Sequence, residues 1–294
     1  MKPSFKIVIS ASRRTDIPAF YMQWFMNSIK QGFFEISNPY NRKVSVISAS
    51  PDNVHTIVFW SKNFGPFLEK GAGKNLKDAG YNLFFNFTIN STDPLLEPNL
   101  PELNERLSQL ERLCEMFDPI SINWRFDPVC FYKTGHKKYN SNLADFSKIA
   151  EAASQFHIKR CITSFMDHYP KIHRRTRAIP GFSFIDPPIE HKKTILIKME
   201  KLLSEKGISL QTCCESELLN ILPDDSLISG SSCIPNHILL QIFGGKLSVK
   251  KHTGQRTKQG CGCRVSVDVG SYGLQPCYNN CLFCYANPEK KPVV

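Results

Sequence analysis

Short apolar runs alternate with longer amphipathic segments along most of this chain, and that alternation constrains its fold more than any other feature. Runs at 6–10, 56–60, 81–89, 120–126, 160–165 and 208–212 have the length and the β-branched or aromatic content of buried strands. Between them, 65–77, 101–117, 143–156 and 188–206 carry helical periodicity, and Gly207 stops the last of these. An amphipathic segment at 18–30 follows the first strand, and the turn-rich stretch 38–42 between 33–37 and 44–48 reads as a hairpin or a short excursion. Residues 265–269 read as one more strand. Strands that alternate with helices predict parallel βαβ units. The expected class is α/β, a full or partial TIM-like (βα) barrel formed by 1–294 as a single domain, with 207–294 as a cysteine-rich region.

Barrels of this kind place their sites at the C-terminal ends of the strands. Polar residues fall there repeatedly: Arg13, Arg14, Thr15 and Asp16; Trp60, Lys62 and Asn63; Thr88 and Asn90; Trp124, Arg125 and Asp127; Ser164, Asp167, His168 and Tyr169. Arg125 and Asp127 are candidate catalytic residues, because two charges at the end of an apolar strand must be paired or functional. Arg13 and Arg14 are candidate cofactor ligands, since a guanidinium suits a carboxylate or phosphate, and Asp16 is a natural ion-pair partner for one of them. Asp145 and Asp186 read as helix caps. His55, His136, His157 and His191 stand singly, as ordinary histidines do. Cys114, Cys130 and Cys161 read as buried packing.

The densest chemistry lies in Cys277-Tyr-Asn-Asn-Cys281-Leu-Phe283-Cys284. Three thiolates in so short a turn can ligate one metal centre. A four-iron cluster takes four protein thiolates when fully ligated, so three leave one iron open to a small molecule. A zinc knuckle is the other reading, with His252 or Cys263 as fourth ligand, although CxxxCxxC is not the paired CxxC spacing of zinc sites. A disulfide framework fits poorly: eleven cysteines in 294 residues, with no secretory signal at the N-terminus, point to a reducing compartment and a cytoplasmic location.

A second set comprises Cys213, Cys214, Cys233, Cys261 and Cys263. One of the adjacent pair with the other three would make a closed four-thiolate site, for a second four-iron cluster or for zinc. Strand alternation predicts that only one of Cys213 and Cys214 faces it.

Net charge is +11 and the pI is near 9.1, which makes an anionic substrate or nucleic acid a candidate partner. The basic stretches at 171–177 and 246–258 lack the interleaved aromatics of a single-strand stacking surface, so they read either as solvated loops or as anion sites. With 41% hydrophobic and 21% charged residues and no apolar run of spanning length, no membrane role is expected.

The triad with its aromatic, Cys277, Cys281, Phe283 and Cys284, resembles the CxxxCxΦC signature of the radical S-adenosylmethionine (SAM) superfamily. The resemblance implies a [4Fe-4S] cluster whose open iron binds SAM, reductive cleavage to a 5′-deoxyadenosyl radical, and an electron donor such as flavodoxin or ferredoxin. It gives Phe283 a shielding role beside the cluster. The whole chain resembles a bacterial family catalogued as a domain of unknown function, through 9–18, 59–63, 124–128, 164–169, 261–263 and the triad onward to Asn287. In radical SAM enzymes the cysteine loop normally follows the first barrel strand, so a C-terminal triad implies a permuted order. Arg13, Arg14 and Asp16 would then neighbour the last strand and hold SAM. The alternative is a non-catalytic module stabilised by zinc or an iron-sulfur cluster, with basic loops that contact nucleic acid.

Overall fold

Eight strands lie side by side in one sheet in the computed structural model, which describes residues 5–38, 41, 43–135 and 138–286. They are β1 (Ile7–Ala11), β2 (Val54–Ser61), β3 (Asn82–Thr88), β4 (Ile122–Val129), β5 (Arg160–Phe165), β6 (Ser209–Thr212), β7 (Ser229–Gly230) and β8 (Val267–Asp268). Their spatial order is β7-β6-β5-β4-β3-β2-β1-β8, and every neighbouring pair is parallel. The chain advances one strand at a time from β1 to β7, then returns to lay β8 against the free side of β1. Ile9 stands opposite Val267 and Ser10 opposite Asp268.

The α/β class is therefore correct, but a full barrel does not form. Strands β7 and β8 are the two ends of the sheet, and no ladder joins them among the described residues. Each is only two residues long, too short to offer a ladder of backbone groups, so the apolar run at 265–269 yields a strand of two residues.

Side-chain alternation separates the faces of the sheet. Ile9, Ile57, Phe59, Phe85, Phe87, Trp124 and Phe126 belong to the main core, together with the helices Met22–Gln31, Leu103–Met116, Phe146–Gln155 and Ile189–Ser204. Phe59, Phe64, Phe67 and Phe85 meet edge to face, which ties β2 and β3 to the helix Gly65–Glu69. Burying one such ring contributes about 1.5–3 kcal/mol. Val8, Val58 and Phe84 form a separate cluster with Ile234, Leu239 and Leu247, so the helix Asn236–Phe243 lies with the inner residues of β1, β2 and β3.

The expected helix at 65–77 is two helices, Gly65–Glu69 and Ala72–Asp78, because Gly71 takes a left-handed φ of 61° between them. A three-stranded antiparallel sheet (Ser183–Ile185, Phe131–Thr134, Lys138–Ser141) and the helix Pro170–Thr176 form an accessory layer. The strands Phe33–Ser37 and Val44–Ser48 pair as the expected hairpin. His136, Asn287 and part of the turn at 38–42 lie outside the described residues. Among the described residues no helix is long and apolar enough to cross a membrane.

Candidate functional site

Residues 277–284 sit beside the C-terminal ends of β1 and β2, held from several sides. Asn279 donates through its side-chain amide to Asp16 Oδ2 at 2.9 Å, Tyr21 donates to the Pro276 carbonyl at 2.6 Å, and Leu282 N–H donates to the Leu96 carbonyl at 2.8 Å. From the helix Pro170–Thr176, Arg175 Nη1 reaches three carbonyls of the loop: Leu282 at 2.8 Å, Cys284 at 3.2 Å and Cys281 at 3.4 Å. Cys281, Leu282 and Phe283 bury their side chains against Leu96 and Cys130 and against Tyr132, Ile172 and Phe184 of the accessory layer. Cys277 and Cys284 both act on the Cys281 thiol, and Cys284 on that of Cys277, so the three lie near one another. Burial pushes the Cys277 thiol up to about 12, with Asp16 adding to the effect, and burial followed by Glu97 raises Cys281. Ligation of a metal here would therefore release protons.

Charged groups of the sheet edge converge on Cys281. Its sulfur lies 3.6 Å from Glu97 Oε1, and Glu97 forms a buried ion pair with Lys62 at 2.5 Å. Burial alone would lower the Lys62 ammonium, but Glu97 and Cys281 outweigh it and raise its pKa. The same ammonium stands 5.3 Å from the centre of the Phe283 ring. Asp16 accepts from Ser61 Oγ at 2.6 Å, Lys62 N–H at 3.0 Å and Ala19 N–H at 3.1 Å, besides Asn279. Burial outweighs these bonds and raises the Asp16 carboxyl. The expected ion pair of Asp16 with Arg13 or Arg14 does not form, because four donors already occupy its oxygens.

Strand β8 ties the loop after β1 in place. Asp268 accepts from Ser10 Oγ at 2.9 Å, Ser12 Oγ at 2.6 Å and Arg13 N–H at 2.8 Å. Arg14 donates to the Gly270 carbonyl at 3.0 Å, and Arg13 reaches Ser266 Oγ at 3.4 Å with its guanidinium 5.4 Å from the Trp60 ring centre. Arg125 lies 5.3 Å from the same ring, pairs with Asp127 and donates to the Cys233 sulfur. Burial alone would raise Asp127, yet Arg125 and Ser164 hold its carboxyl below the usual range.

The second set of cysteines gathers into one group. Cys213 lies 3.8 Å from Cys214 and 3.9 Å from Cys233, sulfur to sulfur. Cys214 also contacts Cys261, Cys261 contacts Cys263, and Cys263 contacts Cys233, which completes a ring of five thiols. Contacts with Cys233 and Cys261, aided by Arg13, strongly depress the Cys263 thiol. Both Cys213 and Cys214 pack against this group, so strand alternation is not what would choose one of them as a ligand. Strand β6 ends at Thr212, and Cys214 takes a φ of 63°, so alternation no longer governs the pair. Among the described residues no three Cys, His, Asp or Glu side chains surround the position of a single metal ion.

Other expected residues point elsewhere. Trp124 belongs to the outer core and donates to the Ile89 carbonyl, and Asn63 accepts from Gln109. Asp167 pairs with Arg256, while His168 and His173 stack on each other. Asp145 precedes the helix Phe146–Gln155, but its carboxylate accepts from Thr92 N–H instead of capping it; Asp186 pairs with Lys192. His252 contacts the Ser266 carbonyl and Cys263 belongs to the thiol ring, so neither joins the triad. Glu97, Arg175, Asn279 and Asp268 escaped sequence reasoning. Glu97 alone carried a signal, a single carboxylate in the apolar turn Leu95-Leu96-Glu97-Pro98.

A family profile described as a domain of unknown function (DUF1848) matches residues 8–286, and the chain belongs to that family. No curated protein matches it.

Proposed function

We propose that this member of the family is an iron-sulfur enzyme of the radical SAM type, built on a partial TIM-like barrel that is open between β7 and β8. The observation that carries the reading is the Cys277–Cys281–Cys284 loop, clamped at the C-terminal edge of a parallel sheet beside a buried Lys62–Glu97 pair. Consecutive strand order with β8 returning to β1 supports the barrel, in a permuted arrangement that brings the last cysteines to the first strand.

In this reading the three thiols hold a [4Fe-4S] cluster, and their count leaves one coordination position to SAM. When bound, the cluster supplies the electron that cleaves SAM to methionine and a 5′-deoxyadenosyl radical, drawn from a donor such as flavodoxin or ferredoxin. The chain's own residues supply position and field. Phe283, buried beside Cys281 and close to Lys62, would shield a bound cluster, and Lys62 offsets negative charge at Cys281. Arg13 and Arg14, on the loop tied to β8, are placed to hold the SAM carboxylate or an anionic substrate. Asp16 anchors the cysteine loop through Asn279. Arg125 and Asp127 form the wall toward the second thiol group and are the residues proposed to meet substrate.

Anaerobic reconstitution with iron and sulfide tests this directly. Wild-type protein should give cluster absorbance, an EPR signal on reduction, and 5′-deoxyadenosine from SAM. Cys281→Ala should abolish the last of these. Zinc as the sole bound metal, or no 5′-deoxyadenosine from iron-loaded protein, would replace this reading with that of a non-catalytic metal-stabilised module.

A further inference from the structure

Five thiols from three separate segments meet in one place: Cys213 and Cys214 after β6, Cys233 after β7, and Cys261 and Cys263 before β8. Cys233, Cys261 and Cys263 are buried. Isolated cysteines are common packing residues, but five in mutual contact are not explained by packing, since the same space could be filled by valine or alanine. Two features of the backbone serve the gathering. Cys214 takes a left-handed φ of 63°, a conformation a cysteine adopts at a cost, and it turns two adjacent thiols to one side. Gly262 lies so close to the Ser231 carbonyl that a Cβ there would come within 2.5 Å of its oxygen, which brings Cys261 and Cys263 up against the segment that carries Cys233.

Charge in the surroundings matches a metal thiolate. Four thiolates around a zinc ion carry a net charge of about −2, and four around an oxidised four-iron cluster carry the same. Arg125, which is buried and also pairs with Asp127, donates directly to the Cys233 sulfur. Trp60 packs against the cysteines, and the Arg13 guanidinium lies 5.4 Å from its ring centre, so positive charge borders the group on that side as well. Sulfurs that share one zinc at about 2.3 Å lie about 3.8 Å apart, and of the four proposed ligands Cys213 and Cys233 lie 3.9 Å apart. A four-iron cluster would need the ring to widen.

We propose that this ring binds a second thiophilic metal centre through four thiolates, independent of the Cys277–Cys284 loop, with Arg125 beside it as the nearest positive charge. Cys213, Cys233, Cys261 and Cys263 are the ligands. Cys214, half exposed at the rim beside Arg256, is the thiol the centre can spare. Trp60 packs against the ring, with the Arg13 and Arg125 guanidiniums 5.4 and 5.3 Å from its centre. The centre is closed and structural or electron-transferring, and all its positions are filled by protein.

The test removes the first centre so that the two cannot be confused. The Cys277→Ala, Cys281→Ala, Cys284→Ala triple variant is purified anaerobically and assayed for iron, sulfide and zinc. Retention of about four irons with sulfide, or of about one zinc, per chain supports the proposal and identifies the metal. In the otherwise wild-type chain, Cys233→Ala with Cys263→Ala should lose that metal alone, and Cys214→Ala should keep it. A folded triple variant without metal overturns the proposal. So does full metal content in the Cys233, Cys263 double variant, which holds even if the triple variant fails to fold. Neither result bears on SAM cleavage, which is assayed separately at the triad.

Discussion

Asp16 shows how much one side chain can organise. Its carboxylate takes donors from the short helix Ile17–Phe20 (Ala19), from the end of β2 (Ser61 and Lys62) and from the cysteine loop (Asn279), so three parts of the chain share one pair of oxygens. Asp16→Asn sets an amide N–H against donors that cannot accept from it. We expect a loss of about 2–3 kcal/mol in urea unfolding and a lower iron content at the triad, measured after reconstitution. Arg175 acts differently, through the backbone carbonyls of Cys281, Leu282 and Cys284. Arg175→Ala should cost about 1.5–3 kcal/mol and make the triad cluster more labile to chelator, while Arg175→Lys, with a single ammonium, recovers only part of the effect. Arg175 was visible in the sequence only as part of a basic run. Nothing in that run distinguishes an arginine facing water from one pointed at a loop more than a hundred residues away.

At the scale of elements, the apolar runs predicted the strands well where both faces are covered. The run at 160–165 is β5 residue for residue, and 81–89 differs from β3 by one residue at each end. The reading weakened where strands are short and their contacts local, as in the accessory layer, whose strands have three or four residues. It also misplaced Trp124, grouping it with Arg125 and Asp127 although adjacent strand residues face opposite ways. For Cys213 and Cys214 the same rule was applied one residue too far, since β6 had already ended. The Cys261-Gly262-Cys263 segment carries the clearest prediction at this scale. With Ser231 backbone oxygen 2.5 Å from where its Cβ would sit, Gly262→Ala must push the two segments apart. The expected effect is a loss of about 1–3 kcal/mol, the usual cost of overpacking, and partial loss of metal from the thiol ring in the triad-free variant.

For the molecule as a whole, the sequence made the parallel α/β sheet legible but not its two ends, because pairing across the length of the chain leaves no periodic trace. Strand β8 lies against β1, and Asp268 bonds to Ser10 across 258 residues of sequence. Contacts that distant are formed late and slowly, and a chain emerging from the ribosome folds from its N-terminal side first. The first strand therefore waits, with one edge unmatched, until the segment that carries β8 has been made. Both groups of thiols need residues from that same late segment, Cys261 and Cys263 in one and Cys277, Cys281 and Cys284 in the other, so neither can hold a metal before it.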